Sequence, residues 1–316
     1  MLILFVGDPH LTGKNPLCRL DDLTIVQWKK WNEIINIANM LNIPMVTSGD
    51  ILNVSVIANS LLTKLGNVLN KLNNPIYFIW GNHDLMYHSL DMWERTSLGV
   101  LWTNNEKVKH ISEFEQDYGI SWDYCDYNQE IVKTESDLLL IHKAVITEKQ
   151  TGKNSWILKD KDFCTDLTEN KDLQKYRLIL CGHWHYQYVY NFNNTRVINA
   201  GSLVRRTVDE TRIPTIQLVN IETGFTKRIS LESAVSSDLI ISKKHLDSKI
   251  KVVSDSISLF VDQLENNKME FNSNFLSNIM SILDTHEIEK GVERFLRDVL
   301  SKVMELKVQK GEKINA

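Results

Sequence analysis

Five short motifs in the sequence each place a side chain that can bind a metal ion or transfer a proton directly after a run of apolar residues. In chain order these motifs are Asp8-Pro9-His10, Gly49-Asp50, Gly81-Asn82-His83-Asp84, His142 and Gly182-His183-Trp184-His185. Carboxylate and amide oxygens combined with imidazole nitrogens, without a thiolate, favour manganese, iron or zinc in a reactive site over a structural zinc site. The motifs therefore predict a reactive metal centre.

A centre of two metal ions needs one ligand that bridges both ions and holds them roughly 3.5–4 Å apart. Asp50 is the predicted bridge, because it follows a strand that lies between the strands of the first and third motifs. The remaining ligands divide into two predicted sets, one of Asp8, His10 and His185 and the other of Asn82, His142 and His183.

His83 is left outside both sets of ligands, and this position suits a catalytic role. We expect its imidazole to protonate a leaving alkoxide, or to steady a phosphate, while a hydroxide attacks phosphorus. Asp84 is predicted to orient that imidazole through a hydrogen bond. The predicted reaction is the hydrolysis of a phosphoester.

Each motif taken alone has a plainer interpretation. Gly49-Asp50 is a common turn dipeptide, Asn82-His83-Asp84 resembles a polar loop with a helix cap, and a histidine such as His142 often packs in a core. The metal-centre interpretation rests on all five motifs together, each of which begins where an apolar run ends.

The apolar runs have the length and composition of short strands. They cover residues 2–6, 44–48, 76–80, 138–141 and 178–181. Apolar residues at helical spacing fill residues 25–41 and 57–72, so the first three runs form βαβ units with parallel strands. The ligands should then meet at one edge of a sheet.

Further along the chain the pattern changes. Residues 108–114 and 118–124 are predicted to pair as strands, and residues 186–192 with 195–199, and 213–221 with 225–231, to form hairpins. These segments predict a second, largely antiparallel sheet. The polar segment 143–168 is interpreted as a long loop beside the site.

Composition is that of an ordinary soluble protein. The chain has 316 residues, 43% hydrophobic content and a formal charge of −4, from 36 basic and 40 acidic residues. Four cysteines without paired spacing indicate a reducing, cytoplasmic location, and no apolar run reaches the ~20 residues of a membrane span. We predict a catalytic domain over residues 1–235 and a helical region over residues 236–316.

With these motifs the chain resembles the calcineurin-like metallophosphoesterases over about residues 1–230. The resemblance implies a four-layer α-β-β-α sandwich, here with a helical C-terminal appendage. Within the family, three segments look most like SbcD-type DNA exonucleases. They are Asp8-Pro9-His10-Leu11, Gly49-Asp50-Ile51-Leu52 and Asn199-Ala200-Gly201-Ser202-Leu203.

The chain also departs from that subfamily. Asn53 stands where an acidic residue is usual, and Ala200 stands where proline is common. The Asp-Arg-Gly that the phosphoprotein-phosphatase branch uses to grip a phosphomonoester is missing after Asp50. A phosphodiester substrate is therefore expected.

The resemblance implies a DNA exonuclease or endonuclease that uses two divalent metal ions, manganese by expectation, and works with an SbcC-type coiled-coil ATPase. The helices of residues 240–306 would contact that ATPase, and the alternative is that they pack on their own domain. Arg205, Arg206 and the lysines of the 143–168 segment are candidate contacts to DNA phosphates. Homodimers are common among such nucleases. Two alternatives stay open: a stand-alone phosphodiesterase or phosphatase for a small phosphoester, and a scaffold subunit with a decayed metal site.

Overall fold

The elements that carry the five motifs form where the apolar runs predict them. The computed structural model describes residues 1–147, 149, 163–236 and 239–251. Its strands are β1 (Leu2–Val6), β2 (Met45–Thr47), β3 (Ile76–Phe78), β4 (Val108–His110), β5 (Asp123–Cys125), β6 (Leu138–Ile141), β7 (Ala144–Ile146), β8 (Cys164–Asp166), β9 (Leu178–Cys181), β10 (Tyr188–Phe192), β11 (Thr195–Asn199), β12 (Thr215–Asn220) and β13 (Thr226–Ser230). Its α-helices are α1 (Leu23–Leu41), α2 (Asn59–Leu69), α3 (Ser97–Asn104) and α4 (Phe114–Tyr118), and short 3₁₀ helices cover Met86–His88, Leu90–Arg95, Ile111–Glu113 and Leu173–Lys175.

The first sheet has the strand order β13-β12-β1-β2-β3-β4. Strands β1 to β4 pair in parallel, and α1 and α2 connect the first three of them, which confirms the predicted βαβ units. The Asp22 side chain caps the start of α1 by accepting a hydrogen bond from the Thr24 backbone N–H. The hairpin β12–β13 continues this sheet by pairing antiparallel with β1.

The second sheet has the order β10-β11-β9-β6-β5, and the prediction that it is largely antiparallel is wrong. The hairpin β10–β11 is antiparallel as expected, but β11, β9, β6 and β5 pair in parallel. The other predicted hairpin, β12–β13, lies in the first sheet. Hairpins can be recognised locally, whereas the sheet that a hairpin joins depends on distant strands.

The predicted pairing of residues 108–114 with 118–124 is also wrong. After β4 the chain turns, because the His110 side chain accepts from the Ser112 N–H and the Glu113 carboxylate accepts from the His110 N–H. This reciprocal cap starts a 3₁₀ turn that leads into α4. Strand β5 then joins the second sheet, beside β6.

The segment 143–168 begins and ends as structure rather than as loop. Strands β7 and β8 pair in parallel, with Val145 opposite Thr165. Residue 148 and residues 150–162 lie outside the described residues, as do Lys153, Lys159 and Lys161.

The two sheets pack face to face, because alternate residues of their strands point to opposite sides. In β1, Ile3 and Phe5 pack against Leu140 and Leu180 of the second sheet. Leu4 of the same strand faces the opposite way, into the core formed with α1 and α2. The outer face of the second sheet is covered, in the described residues, by residues such as Val145, Leu167 and Leu173. The predicted mixed α/β fold with two sheets and flanking helices is confirmed.

The chain divides into two compact units, residues 1–249 and 250–316. Residues 239–242 belong to the first unit, since Leu20 N–H donates to Ile240 O and Ser242 N–H donates to Cys18 O. Residues 243–251 are helical. The predicted helices beyond residue 251 lie outside the described residues. No helix in the described ranges is long and apolar enough to cross a membrane.

Lys30 is a buried cation on α1, next to the loop that closes the site. Its Nζ donates a hydrogen bond to Leu203 O at 2.8 Å. Burial, together with the charges of Arg205 and Arg19, lowers the pKa of Lys30 to about 7. In the folded chain Lys30 therefore loses its proton near neutral pH. In the unfolded chain it keeps that proton up to about pH 10.

We predict that Lys30 makes the folded state more stable as pH rises from 7 to 10, since the unfolded state binds more protons in this range. Lys30→Met should remove a slope of about 1.4 kcal/mol per pH unit from the free energy of unfolding. Urea unfolding at pH 7, 8 and 9 measures it, with the exposed Lys29→Met as the control. Identical pH dependence in wild type and Lys30→Met would contradict the prediction.

Candidate metal centre

The five sequence motifs come together at one edge of the two sheets. Parallel pairing of β1, β2 and β3 brings their carboxyl ends together, and β6 and β9 do the same in the second sheet. Each motif follows one of these strand ends, where ligands of open α/β sheets bind. All seven predicted ligands and His83 lie at this edge.

The first predicted set of ligands forms one compact group. Donor atoms of Asp8, His10 and His185 all lie within 4.8 Å of one another. His10 Nε2 lies 2.9 Å from His185 Nε2, and His185 Nε2 lies 4.0 Å from Asp8 Oδ2. Two ring nitrogens that face each other so closely, beside a buried carboxylate, suit a shared cation.

The second predicted set lies beside it. Donor atoms of Asp50, His142 and His183 are also within 4.8 Å of one another. His142 Nε2 lies 3.1 Å from Asn82 Oδ1 and 3.2 Å from His183 Nδ1. The amide oxygen and the two imidazoles therefore converge on one point.

Asp50 lies between the two groups. Its Oδ2 is 3.5 Å from His10 Nε2 and 3.5 Å from His142 Nε2, while its Oδ1 accepts a hydrogen bond of 2.8 Å from the His83 N–H. The carboxylate is buried, and it faces histidines of both sets. This donor set of buried oxygens and nitrogens fits two divalent cations, with Asp50 in the position of a bridge.

The backbone is strained at three of these residues. His10, Asp50 and His183 have φ angles of 45°, 51° and 68°, in the left-handed region that residues other than glycine seldom adopt. Such strain persists only where the surrounding structure enforces it, and it clusters at functional sites. Gly182 allows the close approach, because a Cβ there would lie 2.5 Å from Asp8 Oδ1.

Neighbouring groups orient the ligands. Ser48 O lies 2.6 Å from His142 Nδ1, and Ser48 Oγ donates to Asp8 Oδ1 at 3.0 Å. Glu210 forms a short hydrogen bond with His185 Nδ1, leaving Nε2 for the metal. Sequence reasoning missed Glu210, because it lies in a polar loop with no strand or motif to mark it.

The segment that follows β11, Ala200 to Leu203, contacts the backbone of two of the motifs. Leu203 N–H donates to Asp8 O at 3.0 Å, and Ser202 N–H donates to His185 O at 3.2 Å. Asn199 supports the same turn by accepting from the Gly201 N–H at 2.7 Å. The segment thus ties the first motif to the fifth.

The predicted contact between Asp84 and the His83 imidazole is wrong. The buried Asp84 carboxylate accepts from the backbone N–H groups of Leu52 at 2.9 Å and Gly81 at 3.1 Å, so it joins the second motif to the third. Asn53 O, 2.8 Å from His83 Nδ1, orients the imidazole instead. A backbone carbonyl of this kind leaves no trace in side-chain motifs.

The charge states of the imidazoles differ. Burial lowers the pKa of His10 well below its usual value, and burial with the charge of His142 lowers the pKa of His183 to about 3, so both offer neutral nitrogens. Burial opposes the charged form of His142 too, but Asp50 outweighs it and raises that pKa to about 9. Asp50 likewise has a lowered pKa, because His142 outweighs the effect of burial.

Two arginines follow the Gly201-Ser202 turn, and they differ. Arg205 is buried, and its guanidinium donates to Val235 O, so the predicted contact of Arg205 with DNA phosphates is wrong. The Arg206 side chain instead points towards the first group of predicted ligands. Its Nη2 lies 3.4 Å from His10 Nε2.

Comparison with known proteins identifies the domain. Residues 1–224 match the model of the calcineurin-like phosphoesterase superfamily domain. No curated protein sequence matches the chain significantly.

Three similar solved structures are of low sequence identity. An archaeal phosphodiesterase is 17% identical, with 73% of this chain and 100% of that chain covered and a TM-score of 0.41. Vps29 from Entamoeba histolytica complexed with zinc is 12% identical. The match covers 73% of this chain and 99% of that chain, with a TM-score of 0.31. A putative 5′-nucleotidase from Staphylococcus aureus is 12% identical, with 79% and 58% covered and a TM-score of 0.35.

We predict that Glu210→Ala weakens metal binding at the Asp8, His10 and His185 group by about 10- to 100-fold, the usual effect of removing a group that orients a ligating histidine. Manganese titration followed by calorimetry measures it. The adjacent Asp209→Ala, which removes an exposed carboxylate, is the control. Equal manganese affinity in Glu210→Ala and wild type would contradict this role.

Proposed function

The chain belongs to the calcineurin-like phosphoesterase superfamily, and we propose that within it the chain is a phosphodiesterase acting on DNA. Membership makes it a hydrolase of ester bonds that depends on divalent metal ions. The finer proposal is a nuclease subunit of the SbcD type with two metal ions, manganese in the cell.

The position of Asp50 carries this proposal. Its Oδ2 stands 3.5 Å from a histidine of each ligand group, so one carboxylate serves both. Asp8, His10 and His185 would hold one ion and Asn82, His142 and His183 the other, and Asp50 would contribute to both. When bound, the ions supply Lewis acidity and a hydroxide nucleophile at neutral pH.

We assign His83 to the leaving group or the phosphate. Asn53 O holds its Nδ1, so Nε2 would be the nitrogen that meets a substrate. Donor atoms of His83, His10 and Asp50 also lie within 4.8 Å of one another, so manganese content is part of the test below. The His83 backbone N–H also donates to Asp50 Oδ1 at 2.8 Å, and this hydrogen bond holds His83 next to Asp50. Asp84 is a positioning residue, because its carboxylate joins the backbone of the second motif to that of the third.

A phosphodiester substrate is supported by the sequence around the second motif. Ile51 and Leu52 follow Asp50 and are buried, so this loop offers no arginine to a phosphomonoester. The Asn199 to Leu203 segment, which resembles the SbcD type, ties the first motif to the fifth. DNA is proposed as the substrate on this resemblance.

We further propose that the C-terminal region docks an SbcC-type coiled-coil ATPase, and that the chain forms a homodimer in that complex. The catalytic unit ends at residue 249, and 67 residues, 250–316, form a separate unit. A small phosphoester requires no such unit, whereas it would be useful for binding a partner ATPase.

We predict that a chain ending at residue 249 keeps manganese-dependent phosphodiester hydrolysis and loses binding to the ATPase, because the truncation falls between two compact units. Hydrolysis of a chromogenic phosphodiester and co-purification with the ATPase measure the two effects. Retained ATPase binding by the truncated chain would contradict the docking proposal.

The nuclease proposal is tested with end-labelled linear DNA and manganese. We predict degradation by wild type, and a rate lower by about 10²- to 10⁴-fold in His83→Asn, the usual contribution of a general acid or base. Manganese content should be unchanged in the variant, since His83 is outside both ligand sets.

His245→Asn, which removes a histidine remote in sequence from all five motifs, is the matched control. Wild type that hydrolyses a chromogenic diester but not DNA would point to a small substrate. Loss of both ions in His83→Asn would make His83 a ligand instead.

A further inference from the structure

Arg206 brings a guanidinium to the metal centre from the loop behind it. Its Nη2 lies 3.4 Å from His10 Nε2, and its Nη1 donates a short hydrogen bond to Asn53 Oδ1. Its backbone N–H donates to Glu210, the same carboxylate that holds His185. The side chain is thus fixed at both ends against groups that orient the predicted ligands.

This guanidinium has unused hydrogen-bonding capacity. Arginine has five N–H donors. Arg206 Nε is buried without a hydrogen-bond partner in the described residues, and no carboxylate there accepts a hydrogen bond from the guanidinium. The carboxylates of Glu210, Asp50 and Asp8 act on the charge of Arg206 without touching it, so the guanidinium lacks an anionic partner in direct contact.

A phosphate would supply that partner. Guanidinium and phosphate match in geometry, since two parallel N–H donors can face two phosphate oxygens. Arg206 stays charged although burial lowers its pKa, because a guanidinium does not lose its proton in proteins. Its Nη2 lies beside His10, one of the predicted ligands, so the guanidinium would be within reach of a phosphate bound next to that ligand.

We propose that Arg206 binds a non-bridging oxygen of the substrate phosphate, on the His10 side of the site, and is held for this by the Asn53 side chain. The proposal rests on the proposed phosphoester hydrolysis at this site. Asn53 suits the task because its amide oxygen orients the guanidinium without neutralising it.

The alternative is that Arg206 only braces the loop between Asn53 and Glu210. Under that alternative, replacing Arg206 would lower stability or metal content. Phosphate affinity would then fall only as a result of those changes. The two roles therefore differ in whether phosphate affinity falls at constant manganese content.

The experiment titrates inorganic phosphate into the full manganese-loaded chain by calorimetry, with manganese content measured for every variant. Arg206→Gln should weaken phosphate binding by about 10- to 100-fold, the usual range for a hydrogen bond to a charged group. Arg206→Lys should recover part of that loss, because lysine restores the positive charge but not the paired N–H donors of the guanidinium. Manganese content should match wild type in both.

Two further variants complete the test. Asn53→Ala keeps Arg206 but removes the amide oxygen that holds its guanidinium, and it should weaken phosphate binding less than Arg206→Gln does. Arg228→Gln removes a positive charge at an exposed position of β13, two strands away from β1, and should leave phosphate affinity unchanged.

Wild-type phosphate affinity in Arg206→Gln, or weaker phosphate binding that appears only with loss of manganese, would overturn the proposal. The KM for a chromogenic phosphodiester should rise in Arg206→Gln alongside the phosphate dissociation constant. If wild type hydrolyses no phosphodiester, the proposed function fails, while the phosphate titration still decides the role of Arg206.

Discussion

The buried carboxylate of Asp50 is the constraint on which the rest of the site depends. A carboxylate removed from water must be compensated by opposite charge or hydrogen bonds. Here the His83 N–H donates to Asp50 Oδ1, and Oδ2 lies 3.5 Å from a ring nitrogen of His10 and of His142. The left-handed backbone at Asp50 turns the carboxylate towards both ligand groups. The surrounding loops are arranged to keep this one anion in place.

This arrangement explains why so many supporting contacts are made by backbone atoms. Asp84 accepts from N–H groups of the second and third motifs, and the segment near Leu203 ties the first motif to the fifth. Strand ends from two different sheets must meet within a few ångströms. Hydrogen bonds between loops that leave those strands fix the distance more firmly than flexible side chains would.

Sequence reasoning named the side chains that the structure brings together at the strand ends, and it missed most of the groups that contact them. Their convergence was predictable because each motif follows a short apolar strand, and parallel strands bring such ends together. Glu210, Ser48 and the Asn53 carbonyl act through contacts between distant loops, which no local spacing encodes. The sheet to which β12 and β13 belong was missed for the same reason.

The central claim is that Asp50 bridges two metal ions. Electron paramagnetic resonance of the chain with two equivalents of manganese tests it most directly, since ions joined by one carboxylate couple magnetically at the separation of roughly 3.5–4 Å typical of such sites. We expect the spectrum of an exchange-coupled pair in wild type and of isolated ions in Asp50→Asn. Isolated ions, or saturation at one equivalent, in wild type would contradict the account.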